Sequence, residues 1–179
     1  MKYSKIIFVL LFFYCFINVG CFKNDETNAE FIKVKQQAEN GDSKAQCRLG
    51  MMYFEGKEIK QDYKKAVYWF TKSAENGEPI SQYGLAGLYF HGKGIKKDYE
   101  KAVYWFTKSA ENGNDKAQYF LGNIYEFGAG NIKKNPQKSF EWYYKSAENG
   151  NQEALETVGI LYFYGDECVK QDYKKALDF

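Results

Sequence analysis

The chain has 179 residues, enough for one ordinary domain, and its 25 basic and 23 acidic side chains leave a formal net charge of +2. No basic stripe stands out, which argues against a nucleic acid as the partner. Aromatic residues make up 19% of the chain, and because they recur in register along it, most are expected to belong to a core.

The first twenty residues differ from the rest of the chain. Lys2 and Lys5 precede an apolar run at 6–19, and a charged start followed by a short apolar segment is typical of a secretory signal. The alternative is a membrane-spanning anchor, but spanning takes about 20 apolar residues, so the signal is favoured. We predict a signal peptide over residues 1–20.

The end of this segment, Val19-Gly20-Cys21, resembles the lipobox of bacterial lipoproteins, whose cysteine is acylated and becomes the mature N-terminus. Asn18 stands where those proteins usually have Leu, which leaves ordinary cleavage or an uncleaved segment open. The resemblance implies a lipid such as palmitate on Cys21, a polar tether over 21–30, and a place in the cell envelope. The protein would then be anchored to a bacterial membrane and face the periplasm or the exterior.

An internal repeat organises the remainder of the chain. The segment 98–113 is almost identical to 62–77, an offset of 36 residues, a looser copy lies at 135–150 and a cut-off copy starts at Asp172. A period of this length indicates stacked helical hairpins, because each hairpin buries its apolar face against its neighbours. We predict an N-terminal capping half-repeat at 31–41 and four repeats at 42–77, 78–113, 114–150 and 151–179, the last one truncated.

The first helix of each repeat has a regular apolar face. At 3.6 residues per turn, four columns share one side of the helix and predict the core. Those columns hold Ala45, Leu49, Met52, Tyr53; Ser81, Leu85, Leu88, Tyr89; Ala117, Leu121, Ile124, Tyr125; Ala154, Val158, Leu161, Tyr162. The neighbouring column holds Gly50, Ala86, Gly122 and Gly159. A glycine inside a helix costs about 1 kcal/mol relative to alanine, so this column predicts a close approach of the second helix.

Capping residues predict where each helix begins and ends. The predicted N-caps are Asp62, Asp98, Asn135 and Asp172 for the second helices, and Asp42, Asn114 and Asn151 for the first helices, while Pro79 fits a helix start. The predicted left-handed C-terminal residues are Gly77, Gly113 and Gly150, and the loop residues expected to plug the hairpin ends are Ile59, Ile95, Ile132 and Val169. Because the fourth repeat is truncated, Leu177 and Phe179 at the end of the chain would be left partly exposed. This indicates a fragment or a terminus that pairs with another surface.

Three sequence patterns carry a family resemblance. They are Ala-Gln-x-x-Leu-Gly-x-x-Tyr at 45–53, Trp-Phe-x-Lys-Ser-Ala-Glu-x-Gly at 69–77 and Gly-Lys-Gly-Ile-x-x-Asp-Tyr-x-Lys-Ala at 92–102. They resemble the Sel1-like repeat (SLR) family, a subclass of the tetratricopeptide-type α/α solenoids, over residues 38–179. The resemblance implies an all-α, right-handed superhelix of antiparallel helix hairpins. Its first helices would line a concave face that is usually used to bind other proteins.

The columns that point away from the predicted core change chemistry from copy to copy. Such variation fits a surface that a ligand reads, and we predict a Tyr- and Phe-rich groove that holds a peptide or a helix. The candidate partner-binding residues are Met51, Phe54, Tyr83, Phe90, Tyr119, Asn123, Glu126, Ile160 and Phe163. The alternative is that tight coiling partly buries these residues between neighbouring first helices.

The sequence offers little for catalysis. His91 is the one histidine and has no obvious catalytic partner. Cys47 and Cys168 lie three repeats apart; since packed helices are about 8–10 Å apart, they are too distant for a disulfide and are expected to be two thiols, or to form an intermolecular bridge. Cysteine-rich SLR proteins with a penicillin-binding or β-lactamase role have a regular Cys pair in each repeat, and this chain lacks those pairs.

These observations predict an exported helical-repeat scaffold or adaptor that binds a protein or peptide on its concave face. The alternative is a β-lactam-binding or β-lactamase-like hydrolase of the cysteine-rich type. No cofactor and no metal are expected, because the sequence has neither a Cys/His cluster nor a phosphate-binding loop. A membrane would be contacted only through the lipid anchor.

Overall fold

The computed structural model describes residues 28–57 and 59–179. The predicted signal peptide at 1–20, Cys21 and the tether residues 22–27 lie outside the described residues. Within the described ranges, no helix is both long enough and apolar enough to cross a membrane.

Helices follow one another along the described chain, and no strand occurs there. They are α1 (28–39), α2 (Ser43–Glu55), α3 (Tyr63–Glu75), α4 (Pro79–His91), α5 (Tyr99–Glu111), α6 (Asp115–Phe127), α7 (Pro136–Glu148), α8 (Gln152–Tyr164) and α9 (Tyr173–Ala176). The helices pack in sequence, α2 on α3, α4 on α5 and α6 on α7, with each hairpin stacked on the next. The predicted all-α solenoid of antiparallel helix hairpins is confirmed.

The helix ends follow from the predicted caps. The Asp98 carboxylate accepts the backbone N–H of Lys101 at 2.9 Å, and Asn114 accepts that of Ala117 at 2.9 Å. The other predicted N-cap side chains do the same. Gly113 has φ +82°, a left-handed conformation that favours glycine and ends α5 after Asn112. The capping predictions are therefore confirmed.

The core lies between the first and second helices, as the columns predicted. Leu49, Leu85 and Leu121 are fully buried. A Cβ placed on Gly122 would lie 2.4 Å from the Tyr143 ring, so the ring of α7 rests directly on the backbone of α6. The close approach predicted from the small-residue column is confirmed there.

The loops and the last residues complete the packing. Val169 is buried, and Ile59, Ile95 and Ile132 are half-buried against the hairpin cores. Phe179 is half-buried and stacks on Tyr162 with ring centroids 6.0 Å apart, whereas Leu177 is 88% exposed.

Candidate partner-binding groove

A cavity of about 650 Å³ opens across α2, α4 and α6. Met51 and Phe54 of α2 and Tyr83 of α4 line it, and all three were predicted as partner-binding residues. The volume lies within the roughly 300–1,000 Å³ usual for ligand pockets. We call this cavity, with its lining residues, the groove.

The groove has aromatic walls that the sequence analysis did not assign to it. Phe70 and Phe106 reach it from the second helices, and Phe120 reaches it from α6. Phe70 packs in the core, where it is 3% exposed, and its ring also borders the opening. The apolar periodicity of a single helix cannot predict that a ring of a second helix reaches a cavity between two neighbouring first helices.

Two glycines open the floor of the groove. Gly84 and Gly87 lie one turn apart on α4, and both line the cavity. No heavy atom lies within 4 Å of the position that a Gly87 Cβ would take, while a Gly84 Cβ would lie 3.1 Å from the Phe70 ring. The other repeats have larger side chains at these positions: Arg48, Phe120 and Thr157 in the first column, and Met51, Asn123 and Ile160 in the second. This departure is the sequence signal from which the cavity could have been predicted, and it was not used in that way.

Polar side chains form the rim of the groove. Glu55 and His91 end α2 and α4, Lys93 follows α4, and Asp115 and Lys116 begin α6; all five line the groove. Burial and the nearby Asp115 carboxylate raise the pKa of Tyr83. Such an arrangement of apolar walls and a polar rim suits a polypeptide segment, whose side chains are apolar while its backbone needs hydrogen-bond partners.

Phe90 has a different environment from Phe54, although both were predicted to face the partner. It is half-buried and packs edge-on against Tyr99 at 5.2 Å and Phe120 at 5.3 Å between ring centroids. At this position the alternative prediction, burial between neighbouring first helices, describes the structure better.

The predicted residues of the third repeat gather around Tyr143 rather than in the groove. The Tyr143 hydroxyl lies 3.1 Å from Asn123 Oδ1 and also donates to the Glu126 carboxylate, while the Tyr119 ring lies 5.4 Å from the Tyr143 ring. Burial, followed by the hydrogen bond to Glu126, raises the pKa of Tyr143. A second cavity, of about 400 Å³, borders Tyr143 and Glu126.

The last two predicted residues, Ile160 and Phe163, lie on α8 and are exposed. Phe163 packs edge-on against Tyr173 with centroids 5.2 Å apart. Neither residue lines the groove. Apart from Phe90, which is packed between helices, the predicted site residues therefore fall into three neighbouring sets along the first helices.

Cys47 and Cys168 are both free thiols, and Cys47 is buried. Across 28–57 and 59–179, no group of three or more His, Cys, Asp or Glu side chains is arranged to hold a metal ion. His91 lies on the rim, in edge contact with Phe90 at 5.1 Å.

The sequence pattern of the Sel1 repeat matches this chain four times, at residues 43–78, 79–114, 115–151 and 153–179. The chain belongs to the Sel1 repeat family. Sel1-repeat proteins are helical-repeat scaffolds for protein–protein interaction. The comparisons give no support to the β-lactam-binding alternative.

Solved structures of Sel1-repeat proteins are similar to this one. A protective antigen of uropathogenic Escherichia coli that displays an SLR fold is 38% identical with a TM-score of 0.76, over 83% of this chain and 31% of the antigen. A Sel1 repeat protein from Oxalobacter formigenes is 30% identical with a TM-score of 0.71, over 87% of this chain and 66% of that protein.

Among curated proteins, the secretory immunoglobulin A-binding protein EsiB of E. coli O6:H1 (strain CFT073) is 41% identical over 46 residues. That match spans 26% of this chain and 9% of EsiB. The chain thus corresponds to a small part of this relative's length.

Proposed function

We propose that this Sel1-repeat chain is an exported scaffold that holds a segment of another protein in the groove. The observation that carries the proposal is the cavity of about 650 Å³ that three successive first helices share. Its apolar lining includes Met51, Phe54 and Ile80 in addition to the rings from the second helices. Aromatic anchors of this kind account for most of the affinity at protein interfaces.

The construction of the hairpins favours a rigid binding surface. Side-chain caps begin α5 and α6, and the rings of Phe70 and Tyr143 rest on the backbone of α2 and α6 at Gly50 and Gly122. A partner segment would bind to walls that are already in place, so that little ordering of the scaffold opposes association. That EsiB is named for binding secretory immunoglobulin A supports a protein as the partner.

A pull-down with matched double variants tests the groove. Ile80 and Tyr83 of α4 both line the groove, and the Tyr83 ring lies 5.6 Å from that of Phe106. The variant Ile80→Ala/Tyr83→Ala is expected to lose the proteins that the wild type captures from a membrane fraction of the source organism. The control Tyr68→Ala/Tyr104→Ala removes two tyrosines on the second helices that are 54% and 55% exposed, and it should retain them.

The readout is the amount of each captured protein, measured by quantitative mass spectrometry, with circular dichroism to verify that both variants are folded. Equal capture by the two double variants would show that the groove does not bind the partner.

Export and anchoring are a separate part of the proposal, supported by the charged and apolar segment at 1–20 and the lipobox-like Cys21. Expressed from its own start codon in a bacterium, the wild type should fractionate with membranes, and Cys21→Ser should not. If both forms are found in the soluble fraction, the lipid anchor is wrong, whereas the groove proposal is unaffected.

A further inference from the structure

The hairpins place their two kinds of loop on opposite edges of the solenoid. Each first helix runs toward the loop inside its own hairpin, and each second helix runs back from that loop. Neighbouring loops touch: Lys93 Nζ lies 5.4 Å from the centre of the Tyr63 ring, and the Asn131 amide donates to the Glu100 carboxylate. The loops inside the hairpins, with the first residues of the second helices, therefore form one continuous edge. We call it the loop edge and define it by residues 56–65, 92–101, 128–138 and 165–175.

Lysines are concentrated on the loop edge. Its four segments contain 14 of the 25 basic residues of the chain and 7 acidic residues, a formal charge of +7. All 14 of these lysines are exposed: Lys57, Lys60, Lys64, Lys65, Lys93, Lys96, Lys97, Lys101, Lys133, Lys134, Lys138, Lys170, Lys174 and Lys175. No basic stripe stands out in the sequence, because the lysines belong to separate repeats and only the stacking of the hairpins brings them together.

The opposite edge has the opposite charge. It consists of the turns between repeats, at 39–46, 75–82, 111–118 and 148–155, which contain 8 acidic and 2 basic residues, a formal charge of −6. These turns also contact one another, since Asn151 Nδ2 donates to Asp115 Oδ2 at 2.9 Å. The net charge of +2 for the whole chain thus conceals two edges of opposite sign.

The acidic residues of the loop edge leave much of its positive charge uncompensated. Asp62, Asp98 and Asp172 are N-caps, and their carboxylates accept backbone N–H groups. The side-chain ion pairs of two of these caps are exposed, with separations of 3.7 and 3.9 Å, and exposed pairs contribute little. Among the ion pairs and cation–π contacts of the described residues, none involves the lysines at 96, 133 and 170.

The N-terminal segment joins the folded domain at the loop edge. The Phe31 ring, in the first half of α1, lies 6.1 Å from the ring of Tyr53 near the end of α2. Lys65 of the loop edge lies over the same Tyr53 ring, 5.1 Å from its centre. The segment that connects α1 to the predicted lipidation site, Cys21, is therefore attached beside the lysines.

We propose that the loop edge binds an anionic lipid surface. The inference rests on the proposed anchoring and goes beyond it, because the folded domain itself contacts the membrane. A single lipid chain gives only marginal, reversible binding, and a chain combined with a basic patch gives stable binding. The attachment of the anchor at this edge provides that combination.

The composition of the edge favours a lipid surface over a nucleic acid. All 14 basic residues there are lysines, which act as compact point charges, whereas arginine is the residue that recognises phosphates in bidentate geometry. The apolar loop residues do not reach out to insert into lipid, since Ile95 and Ile132 are half-buried and Val169 is buried. The binding is therefore electrostatic and sensitive to salt.

Vesicle sedimentation tests the loop edge directly. The full chain is used with Cys21→Ser, so that no attached lipid contributes, and the vesicles contain phosphatidylglycerol and phosphatidylcholine in equal parts or phosphatidylcholine alone. Partition into the anionic vesicles should be at least about tenfold stronger than into the neutral ones. The apolar run at 6–19 is the same in both measurements, so the difference reports the charge. Equal partition into the two kinds of vesicle would overturn the proposal.

Salt and a second polyanion sharpen this measurement. Raising the salt from about 0.1 M to about 1 M shortens the Debye length from about 10 Å to about 3 Å and should abolish the preference for anionic vesicles. A short DNA duplex is the third probe. Binding of the duplex without binding of anionic vesicles would overturn the proposal in favour of a nucleic acid.

Matched lysine variants locate the contact. Lys96→Gln/Lys133→Gln/Lys170→Gln should weaken partition into anionic vesicles at least about tenfold, because three charges near the lipid surface are lost. The control Lys72→Gln/Lys108→Gln/Lys145→Gln changes the net charge equally in the last turns of the second helices, next to the acidic edge, and should stay within about threefold of the parent form. Equal loss in the two variants would mean that net charge rather than the loop edge drives binding, and the inference would be wrong.

Failure of this inference can be distinguished from failure of the lipid anchor. If the wild type does not fractionate with membranes while the Cys21→Ser chain binds anionic vesicles through the three lysines, the anchor is wrong and the inference stands. If the wild type fractionates with membranes while the loop-edge variant partitions like the control variant, the anchor stands and the inference is wrong. The loop edge alone binds reversibly, so a salt wash should still remove Cys21→Ser from the membrane fraction.

Discussion

Ser109 Oγ of α5 donates a 2.7 Å hydrogen bond to the carbonyl oxygen of Pro79, which begins α4 thirty residues earlier. Ser73 makes the same bond to Ser43, and Ser146 makes it to Asp115, each at 2.7 Å. These serines are buried. Each of these second helices is thereby tied to the first turn of its own hairpin partner, which holds the groove-lining first helix in place.

Replacing Ser109 with Ala should lower the free energy of unfolding by about 1 kcal/mol, because one buried hydrogen bond is lost and the cavity left is small. Urea denaturation followed by circular dichroism measures the change. The exposed Glu111→Ala on the same helix is the control and should stay within about 0.5 kcal/mol of the wild type. Equal stability of the two variants would show that the bond does not hold the hairpin.

Two glycine-to-alanine variants should shift stability in opposite directions. In Gly122→Ala the new Cβ meets the Tyr143 ring at 2.4 Å, and overpacking of this kind costs about 1–3 kcal/mol. In Gly87→Ala the Cβ enters open space, so the higher helix propensity of alanine should stabilise the protein by up to about 1 kcal/mol. In the second repeat, Ala86 stands at the position equivalent to Gly122 and packs against Phe106. The Tyr143 hydroxyl, however, is hydrogen-bonded, so its ring is less free to shift away from an added methyl group.

Thermal unfolding of the two variants side by side checks this expectation. A gain of stability in Gly122→Ala would contradict the close approach of α7 to α6.

Stability should fall at alkaline pH because of Tyr143. Its folded-state pKa is raised by burial and by Glu126, whereas the pKa of an unfolded tyrosine is about 10. Below about pH 10 the Tyr143 hydroxyl is protonated in both the folded and the unfolded protein, so its contribution to stability is intact. Above about pH 10 the unfolded protein loses this proton first. The free energy of unfolding therefore decreases as the pH rises, by up to about 1.4 kcal/mol per pH unit.

Tyr143→Phe should therefore show a shallower loss of stability than the wild type as the pH rises above about 10. The measurement is the urea midpoint across this range. Tyr68→Phe, at an exposed tyrosine, is the control and should follow the wild type. Identical alkaline slopes for Tyr143→Phe and the wild type would exclude this residue as the cause.

The two thiols should react with iodoacetamide at different rates. Cys47 is buried, and burial raises its pKa, so the folded protein should protect it. Cys168 is partly exposed, and burial followed by Asp166 raises its pKa to about 11. Its alkylation should be slow near neutral pH and accelerate as the pH approaches that value, because the thiolate is the nucleophile.

Peptide mapping after timed alkylation separates the two sites, and the same reaction in denaturant supplies the control in which both react. Modification of Cys47 at the rate of Cys168 in the folded protein would contradict the burial of α2 against its neighbours.

Local patterns were sufficient for the hairpins. The helical periodicity of the apolar columns predicted that Leu49 and Leu121 are buried, and the capping residues Asp98 and Gly113 predicted the two ends of α5. The structure confirms both predictions. These properties depend on neighbours within one or two turns. They can therefore be predicted from short sequence segments, and the repeats show each pattern several times.

The binding surface was predicted only in part, because its residues depend on contacts between repeats. Phe54 and Phe90 occupy the same column, yet Phe54 lines the groove and Phe90 is packed beneath Phe120. The difference arises from the repeat that follows each phenylalanine. Gly84 follows Phe54 at the position where Phe120 follows Phe90.

The sequence by itself determined the helices, their caps, the four hairpins and the family, since all of these follow from short-range periodicity that recurs along the chain. Only the tertiary structure decided which aromatic side chains face a cavity and which fill one. That outcome depends on whether the next repeat supplies a ring to the space between two stacked hairpins, as Phe120 does 30 positions after Phe90.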